Sequence, residues 1–512
     1  MSKKKVMYSM SANLAAFGVQ LCIHMLLTPY ITETLGTEAY AFIPLSNSIA
    51  SYSSIITVAI SSMASRFISI EYNRKNSKAA NVYFNSALIA NVLITALLTI
   101  PAILMVVFAD GIFEIPQGLE KDVRVTLLFA LFGMLISVLF SVYSNVYFVR
   151  DCLELKARNE ILGNILRSLA LLCLFGFFEP KIYYVTGVAF VITILYCTIN
   201  IVYTKKVLPE LSVRIDYFRK KAVVTLISSG IWNSVNQLSS VLLSSLDLFL
   251  ANVLVGAEAS GIYALAKTIP GFLQSLIAVI VVVFIPQFTI LYAKEKKEEL
   301  INSIDFSVKI LGGIATLPIA FLLVFGKEFF QIWVPTQNIE LLQSLSVLTI
   351  IPMVVSGGIN TLFNVFTVTN QLKIPSIVSL ISGIANTIGT VILLRYTDLG
   401  IYAIPLVSCV VLLLKNLTFT PLYAAKCLGE RWSTFYKSIF KSVLCTLSMV
   451  VICVLYKFFI QTTNWLELFM AAGICSCFAL GSNFFLVFDK TERRKMLLLL
   501  RWKKGGKGNA DN

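Results

Sequence analysis

Leu-Gly-Thr-Glu-Ala at residues 35–39 recurs 220 residues later as Val-Gly-Ala-Glu-Ala at residues 255–259. Each copy separates two long apolar segments. The correspondence runs without a gap from the first segment to the end of the second, where Tyr72 falls on Tyr292. Each segment lies six segments before its partner, so partners run in the same direction. The pattern predicts a parallel internal repeat.

Apolar residues dominate the composition. Of 512 residues, 57% are hydrophobic and 13% are charged, whereas a soluble domain has about 45–50% apolar and about 25% charged residues. A single soluble core of this size could not bury so much apolar surface, and a disordered chain would be more polar. The composition therefore excludes both classes and indicates a protein whose solvent is the lipid bilayer.

Fourteen apolar runs are long enough to cross a bilayer as helices, which takes about 20 residues. They lie at residues 7–29, 40–70, 82–109, 123–149, 161–178, 185–204, 223–250, 259–292, 309–326, 342–368, 375–394, 400–424, 442–460 and 469–488. A helix satisfies its own backbone hydrogen bonds inside the bilayer. The sequence thus predicts an all-α, polytopic membrane protein with about 14 transmembrane helices.

Lys and Arg are distributed unequally between alternate connectors. The N-terminus, every second connector and the segment after residue 489 hold 32 of the 42 Lys and Arg residues, and the opposite connectors hold 5. The positive-inside rule therefore places both termini in the cytoplasm. The net charge of +15 needs no nucleic acid as a partner, because basic cytoplasmic flanks contact anionic lipid.

The repeat divides the predicted helices into regions. We expect an N-terminal lobe of six helices at 1–204, a basic cytoplasmic linker at 205–222 and a C-terminal lobe of six helices at 223–424. Two more helices at 425–488 fall outside the repeat, and a basic cytoplasmic tail follows at 489–512.

Short motifs point to a family. The turn from Leu35 to Tyr40, its second copy from Val255 to Gly261, and Phe284-Ile285-Pro286 at the end of the eighth span resemble the polysaccharide flippase (Wzx-like) branch of the multidrug/oligosaccharidyl-lipid/polysaccharide (MOP) exporter superfamily. This branch serves O-antigen, capsule or exopolysaccharide synthesis. The resemblance implies two six-helix lobes forming a V around a central cavity. It also implies export of an undecaprenyl-diphosphate-linked glycan by alternating access.

Polar side chains follow one face of each helix in the repeated pairs, at helical spacing. The matched stripes comprise Asn13, Gln20 and His24 in the first helix, Asn47 and Ser54 in the second, Asn233, Gln237 and Asp247 in the seventh, and Lys267 and Gln274 in the eighth. Such faces are costly in lipid and are expected to look inward. Contact between packed helices is the alternative for any single Ser or Asn, whereas four matched stripes favour a cavity.

Charged residues are rare inside the predicted spans. Arg66 and Arg167 lie near predicted cytoplasmic ends, where long side chains reach the interface. Lys267 and Lys415 lie deeper and are candidates for the substrate path, because cations suit a diphosphate headgroup. Asp247 is the one acid inside a predicted span, and a structural ion pair with Lys267 is as well supported as a substrate contact.

Catalytic and cofactor motifs are missing from the sequence. His24 is the single histidine, so no Ser-His-Asp set and no zinc cluster can be assembled. No Gly-x-x-x-x-Gly-Lys-Ser/Thr motif occurs, so ATP does not drive the protein directly. We expect no metal and no cofactor. His24 is either a structural residue, the better supported interpretation, or a proton-coupling residue; coupling to H⁺, to Na⁺ or to the membrane potential stays open.

Together these arguments define twelve substrate-path candidates. They are Asn13, Gln20, His24, Asn47, Ser54, Arg66, Asn233, Gln237, Asp247, Lys267, Gln274 and Lys415. The expected partners are a lipid-linked glycan, membrane lipids and a polysaccharide assembly machinery.

Three alternative functions are weighed against glycan flipping. A multidrug exporter of organic cations would use cavity carboxylates, but the spans hold one acid against several cations. A lipid II flippase would differ only in the headgroup it carries. A membrane glycan polymerase or ligase would be an enzyme with a large outer loop, and the longest outer connectors here run only over about 110–122 and 327–341.

The predicted topology can be tested with reporter fusions. Fusions after Arg74, Lys206 and Lys437 should report the cytoplasm, and fusions after Gly118 and Gln337 the outside, because basic connectors stay on the cytoplasmic side. Alkaline phosphatase and green fluorescent protein activities measure the two sides. Reversed signals at two or more sites would contradict both the span assignment and the repeat.

Overall fold

The computed structural model describes residues 3–150, 152–489 and 492–493. For residues 3–17, 153 and 486 it describes the backbone alone. Within these ranges the chain forms helices and no β-strand, which confirms the predicted all-α class.

The described residues form fourteen long helices, numbered here in chain order. They are α1 (Lys3–Leu35), α2 (Thr37–Ser51, continuing as Ser54–Asn73), α3 (Ser77–Val107), α4 (Glu120–Val149), α5 (Leu153–Phe177), α6 (Tyr183–Val207), α7 (Lys220–Leu254), α8 (Ala257–Ala293), α9 (Lys297–Trp333), α10 (Ile339–Ile359, continuing as Leu362–Val368), α11 (Lys373–Tyr396), α12 (Gly400–Cys427), α13 (Tyr436–Phe459) and α14 (Trp465–Leu486). Among the described residues, 13 helices, α2 to α14, are long and apolar enough to cross a membrane. Helix α1 covers the remaining predicted span.

The backbone carries the repeat further than the sequence match does. Gly36 and Gly256 both have positive φ, 86° and 133°. Lys75 and Glu295, also 220 positions apart, end α2 and α8 with φ of 60° and 55°. A residue in the left-handed backbone conformation commonly ends a helix. Here Lys75 and Glu295, two non-glycine residues of opposite charge, adopt that conformation. Helices α3 and α9, and then α5 and α11, begin at the same offset, so the repeat extends beyond the first two helix pairs.

Asparagines near corresponding positions, 219 residues apart, mark breaks in two helices of the repeat. Asn145 ends a 3₁₀ segment of α4, and Asn364 lies just after the interruption of α10. The Ser65 hydroxyl of α2 donates to Asn145 Oδ1 at 2.5 Å. The Asn364 amide donates to the Val281 carbonyl of α8 at 3.2 Å. Each asparagine therefore ties its broken helix to the second helix of its own repeat.

The chain packs as two compact units. The first comprises residues 1–266 and 372–408, and the second residues 267–371 and 409–512. In the first, the core between α2, α3 and α4 is built on Ile60, Phe84 and Tyr143. This grouping follows packing, so the predicted lobe boundaries stay a prediction.

A glycine permits a close helix contact in the first unit. A Cβ at Gly230 of α7 would lie 2.4 Å from the Ala59 carbonyl oxygen and 2.7 Å from its Cα. Both atoms belong to the backbone of α2, so no rotamer change can make room. Helix α7 therefore approaches α2 as closely as it does because residue 230 lacks a side chain, as is common between membrane helices.

Replacing this glycine should destabilise the protein. We expect Gly230→Ala to cost about 1–3 kcal/mol through overpacking and to lower the melting temperature of the detergent-solubilised protein. Gly473→Ala on α14 is the matched control, since nothing lies within 4 Å of its added Cβ; it should be neutral or slightly stabilising. Equal melting temperatures for the two variants in fluorescence-detected size-exclusion chromatography would show that the α2–α7 contact is not tight.

Candidate functional site

A cavity with both polar and apolar walls lies within the first unit, between α2, α4 and α6. Its volume is about 210 Å³, and α2 contributes Asn47 and Ala50. Its walls combine hydroxyl and amide groups with aromatic rings, and no lining residue is charged. The other lining residues are Phe129, Ala130, Gly133, Met134, Ser137, Thr186, Ala189, Phe190 and Thr193. Small neutral donors and acceptors beside apolar faces suit a neutral, hydroxylated ligand.

The aromatic wall of this cavity comes from two helices in direct contact. Phe129 of α4 and Phe190 of α6 have ring centroids 5.6 Å apart. Gly187, one turn before Phe190, allows this packing because its missing Cβ would lie 3.3 Å from the Phe129 ring. Both phenylalanines lie outside the first two helices of each repeat, where the polar stripes are matched, so neither was among the predicted site residues.

The polar stripe of α2 divides into two parts with different roles. Asn47 is exposed into the cavity, and Ser54 is half-buried with its hydroxyl donating to the Ser51 carbonyl at 2.5 Å. Ser61 lies 3.5 Å from the Ser141 hydroxyl of α4, and Ser65 bonds Asn145 of α4 as described above. One end of the stripe thus faces a cavity and the other joins helices.

The polar stripe of helix α7 makes contacts with neighbouring helices. The Asn233 amide donates to the Ser62 hydroxyl of α2 at 3.0 Å, so Asn233 joins helices. Gln237 is half-buried. Asp247 is 3% exposed and accepts a hydrogen bond from the Tyr263 hydroxyl of α8 at 3.2 Å. The sequence offered no signal for Tyr263, because the contact joins residues on different helices.

On α1, Gln20 is exposed and His24 is half-buried, while the side chain of Asn13 lies outside the described residues. The structure corrects the placement of Arg167. Helix α5 begins at Leu153, well before the apolar run that starts at 161, so Arg167 lies near the middle of the helix and not near its end.

The second unit holds the two deep lysines. Lys267 is half-buried and Gln274 exposed on α8. Lys415 is half-buried on α12, where its Nζ lies 5.7 Å from the centre of the Phe363 ring of α10. It opens a π-helical segment, Lys415–Phe419, a local widening often found at functional positions. Arg66, by contrast, is exposed on α2 in the first unit. The roles of the twelve candidates stay predictions.

The fold is similar to solved structures of membrane transporters. The lipid II flippase MurJ in an inward closed conformation matches with a TM-score of 0.65 at 12% identity, over 94% of this chain and 99% of MurJ. An inward-facing multidrug resistance MATE family transporter of the MOP superfamily matches with a TM-score of 0.57 at 16% identity, over 82% and 94%. The protein is thus a multi-pass membrane protein with the fold of the MOP-superfamily transporters.

The sequence matches narrow this class to a family. A sequence model described as "Polysaccharide biosynthesis protein" matches residues 2–292. The "Uncharacterized membrane protein EpsK" of Bacillus subtilis (strain 168) is 32% identical over 503 residues, which cover 98% of this chain and 99% of that protein. The chain belongs to the polysaccharide biosynthesis protein family, and the resemblance inferred from the sequence is confirmed.

Cysteine labelling can test whether the cavity is open to water. In a variant without the native cysteines, Asn47→Cys and Ser137→Cys should react with a water-soluble maleimide, because both positions line the cavity. Leu128→Cys is the control: Leu128 is 39% exposed but lies on the opposite face of α4 from Ser137, where lipid would exclude the reagent. Equal labelling at 128 and 137 would contradict a water-filled cavity.

Proposed function

We propose that this protein flips an undecaprenyl-diphosphate-linked oligosaccharide from the inner to the outer leaflet of the bacterial cytoplasmic membrane, for the synthesis of a cell-surface polysaccharide. It does so as a secondary-type transporter by alternating access, with both termini in the cytoplasm, and it is not an enzyme. Its partners are the lipid-linked glycan, membrane lipids and the polysaccharide assembly machinery.

The observation that carries this proposal is the chemistry of the cavity between α2, α4 and α6. Its volume of about 210 Å³ is below the range of about 300–1,000 Å³ that is usual for a site enclosing a whole drug-sized ligand, so the cavity can hold part of a glycan. Asn47, Ser137 and Thr193 can exchange hydrogen bonds with sugar hydroxyls. The faces of Phe129 and Phe190 can pack against the C–H side of a sugar ring. A cavity without charge gives no advantage to an organic cation.

The second unit, taken by itself, carries cations whose chemistry suits a diphosphate. Lys267 and Lys415 are half-buried within membrane helices, where an anion is attracted more strongly than in water. A diphosphate loses its hydration in such a place, and each lysine can return part of that energy through a charge-assisted hydrogen bond. A lipid-linked glycan presents both chemistries in one molecule: neutral sugars and an anionic diphosphate.

A lipid II flippase is the second candidate function. Its support is the match to MurJ over 94% of this chain, and its cargo would use the same lysines, because lipid II also carries a diphosphate. The two functions differ in the sugar portion alone, so a direct comparison of the two cargoes separates them.

Reconstituted protein tests the role of the lysines. In liposomes that contain a fluorescent undecaprenyl-diphosphate oligosaccharide, Lys415→Gln and Lys267→Gln should each slow flipping by about 10-fold or more, since a hydrogen bond to a charged group contributes about 1.5–3 kcal/mol. Lys327→Gln is the control, because Lys327 is an exposed cation paired with Glu340. Unchanged flipping in both test variants would contradict recognition of the diphosphate by these lysines.

The alternative role of Lys267 as a structural partner of Asp247 gives a different result. In that case Lys267→Ala should lower the amount of folded protein, and the double variant with Asp247→Ala should restore both abundance and flipping. Parallel liposomes with lipid II in place of the oligosaccharide identify the cargo. Faster flipping of lipid II would favour the second candidate function.

A further inference from the structure

Buried asparagines hold the connection between α6 and α7 against α3. The Asn81 amide donates to the Glu210 carbonyl at 2.7 Å, and the Ser212 N–H donates to Asn81 Oδ1 at 2.8 Å. Asn85 repeats the pattern one helical turn later, donating to the Ser212 carbonyl at 2.9 Å and accepting from the Arg214 N–H at 2.9 Å. The two asparagine side chains thus provide hydrogen-bond partners for backbone groups of Glu210, Ser212 and Arg214, in a segment without regular secondary structure at these residues.

We call residues 208–221 the linker strap; its last two residues are the first two of α7. Further contacts fix both ends of the strap. The Ser77 hydroxyl donates to the Glu210 carboxylate at 2.6 Å, and the Arg219 N–H donates to the Ser86 hydroxyl at 3.0 Å. Leu208 and Leu211 are buried, at 1% and 8% exposure. Because Asn81 and Asn85 are themselves 3% and 1% exposed, the strap is a rigid feature of the first unit.

The outer side of the strap is both apolar and basic. Val213 is 58% exposed and Ile215 is 83% exposed, and exposed Arg214 stands between them. Four exposed cations belong to this surface: Arg214, Arg219, Lys220 and Lys221. Two exposed acids lie in the same segment, Asp216 and Glu210, and the Glu210 carboxylate accepts the hydrogen bond from Ser77. A loop that faces water does not need Val213 and Ile215 to be held exposed among cations, so this surface is suited to another environment.

We propose that the linker strap is a binding site for anionic phospholipid headgroups of the membrane leaflet that it borders. The strap joins the end of α6 at Val207 to the start of α7 at Lys220, so it lies at the membrane surface. There, Val213 and Ile215 insert between headgroups while the four cations contact lipid phosphates. Apolar insertion combined with basic charge is the general signature of interfacial anchoring. The inference depends on α6 and α7 crossing the membrane and not on the identity of the cargo.

A depth measurement on the full chain tests this binding site. A nitroxide attached at Ile215→Cys, with the native cysteines removed, is compared in nanodiscs of phosphatidylcholine alone and of phosphatidylcholine with phosphatidylglycerol. With the anionic lipid present, collisions of the label with oxygen should rise and collisions with a water-soluble nickel chelate should fall. A label at Lys75→Cys, in the α2–α3 turn, is the control and should stay water-exposed in both lipids.

Charge variants separate the contributions. Replacing Arg214, Arg219 and Lys221 together with glutamine should abolish the effect of phosphatidylglycerol. The control, Lys294→Gln with Lys296→Gln in the turn between α8 and α9, should leave the effect intact. A label that stays in water in both lipids would overturn the proposal and leave the strap facing a soluble partner. Equal insertion in both lipids would also overturn it, because headgroup charge would then play no part. If the triple variant fails to fold, the comparison of the two lipids in the parent protein still decides.

Discussion

The fold depends on one constraint: inside hydrocarbon, every backbone N–H and C=O must find its partner within the protein. Long helices satisfy this requirement, and their side chains then have to be apolar or to meet one another. The breaks obey the same rule. Where α4 tightens into a 3₁₀ segment, the Thr204 hydroxyl of α6 donates to the Tyr143 carbonyl at 3.0 Å. Polar residues therefore appear in the spans either where helices are joined or where water reaches them.

The class and the spans could be predicted because hydropathy measures this constraint directly. The repeat could be predicted because Gly36 and Gly256 occupy positions of positive φ, where glycine is strongly preferred. Hydropathy fails at helix ends. The first turns of α5 are charged, from Glu154 to Arg158, so the helix begins earlier than its apolar run, and Arg167 was placed near an end instead of the middle.

The site was predictable only in part, for a different reason. A polar residue that faces water and a polar residue that joins two helices look the same in a sequence. Only the packing shows that Asn47 faces a cavity and that Ser65 joins two helices. The walls that α4 and α6 add to the cavity carry Ser137, Thr186 and Thr193, whose small hydroxyls also occur on helix faces buried against other helices. Their role depends on a space between three helices, and that space is a property of the fold and not of any one segment.

The repeat also shows how one architecture can hold two chemistries. Under the shift of 220 residues, Asn47 of α2 corresponds to Lys267 of α8. The first is a neutral amide that lines a cavity without charged walls, and the second is a half-buried cation. Equivalent positions in two matched helices thus offer a hydrogen-bonding group in one repeat and a positive charge in the other. A symmetric, purely neutral ligand would gain nothing from this difference. Under the proposed function, an amphipathic cargo with a neutral glycan at one end and a diphosphate at the other would use both groups, because its two ends need different environments during passage across the bilayer.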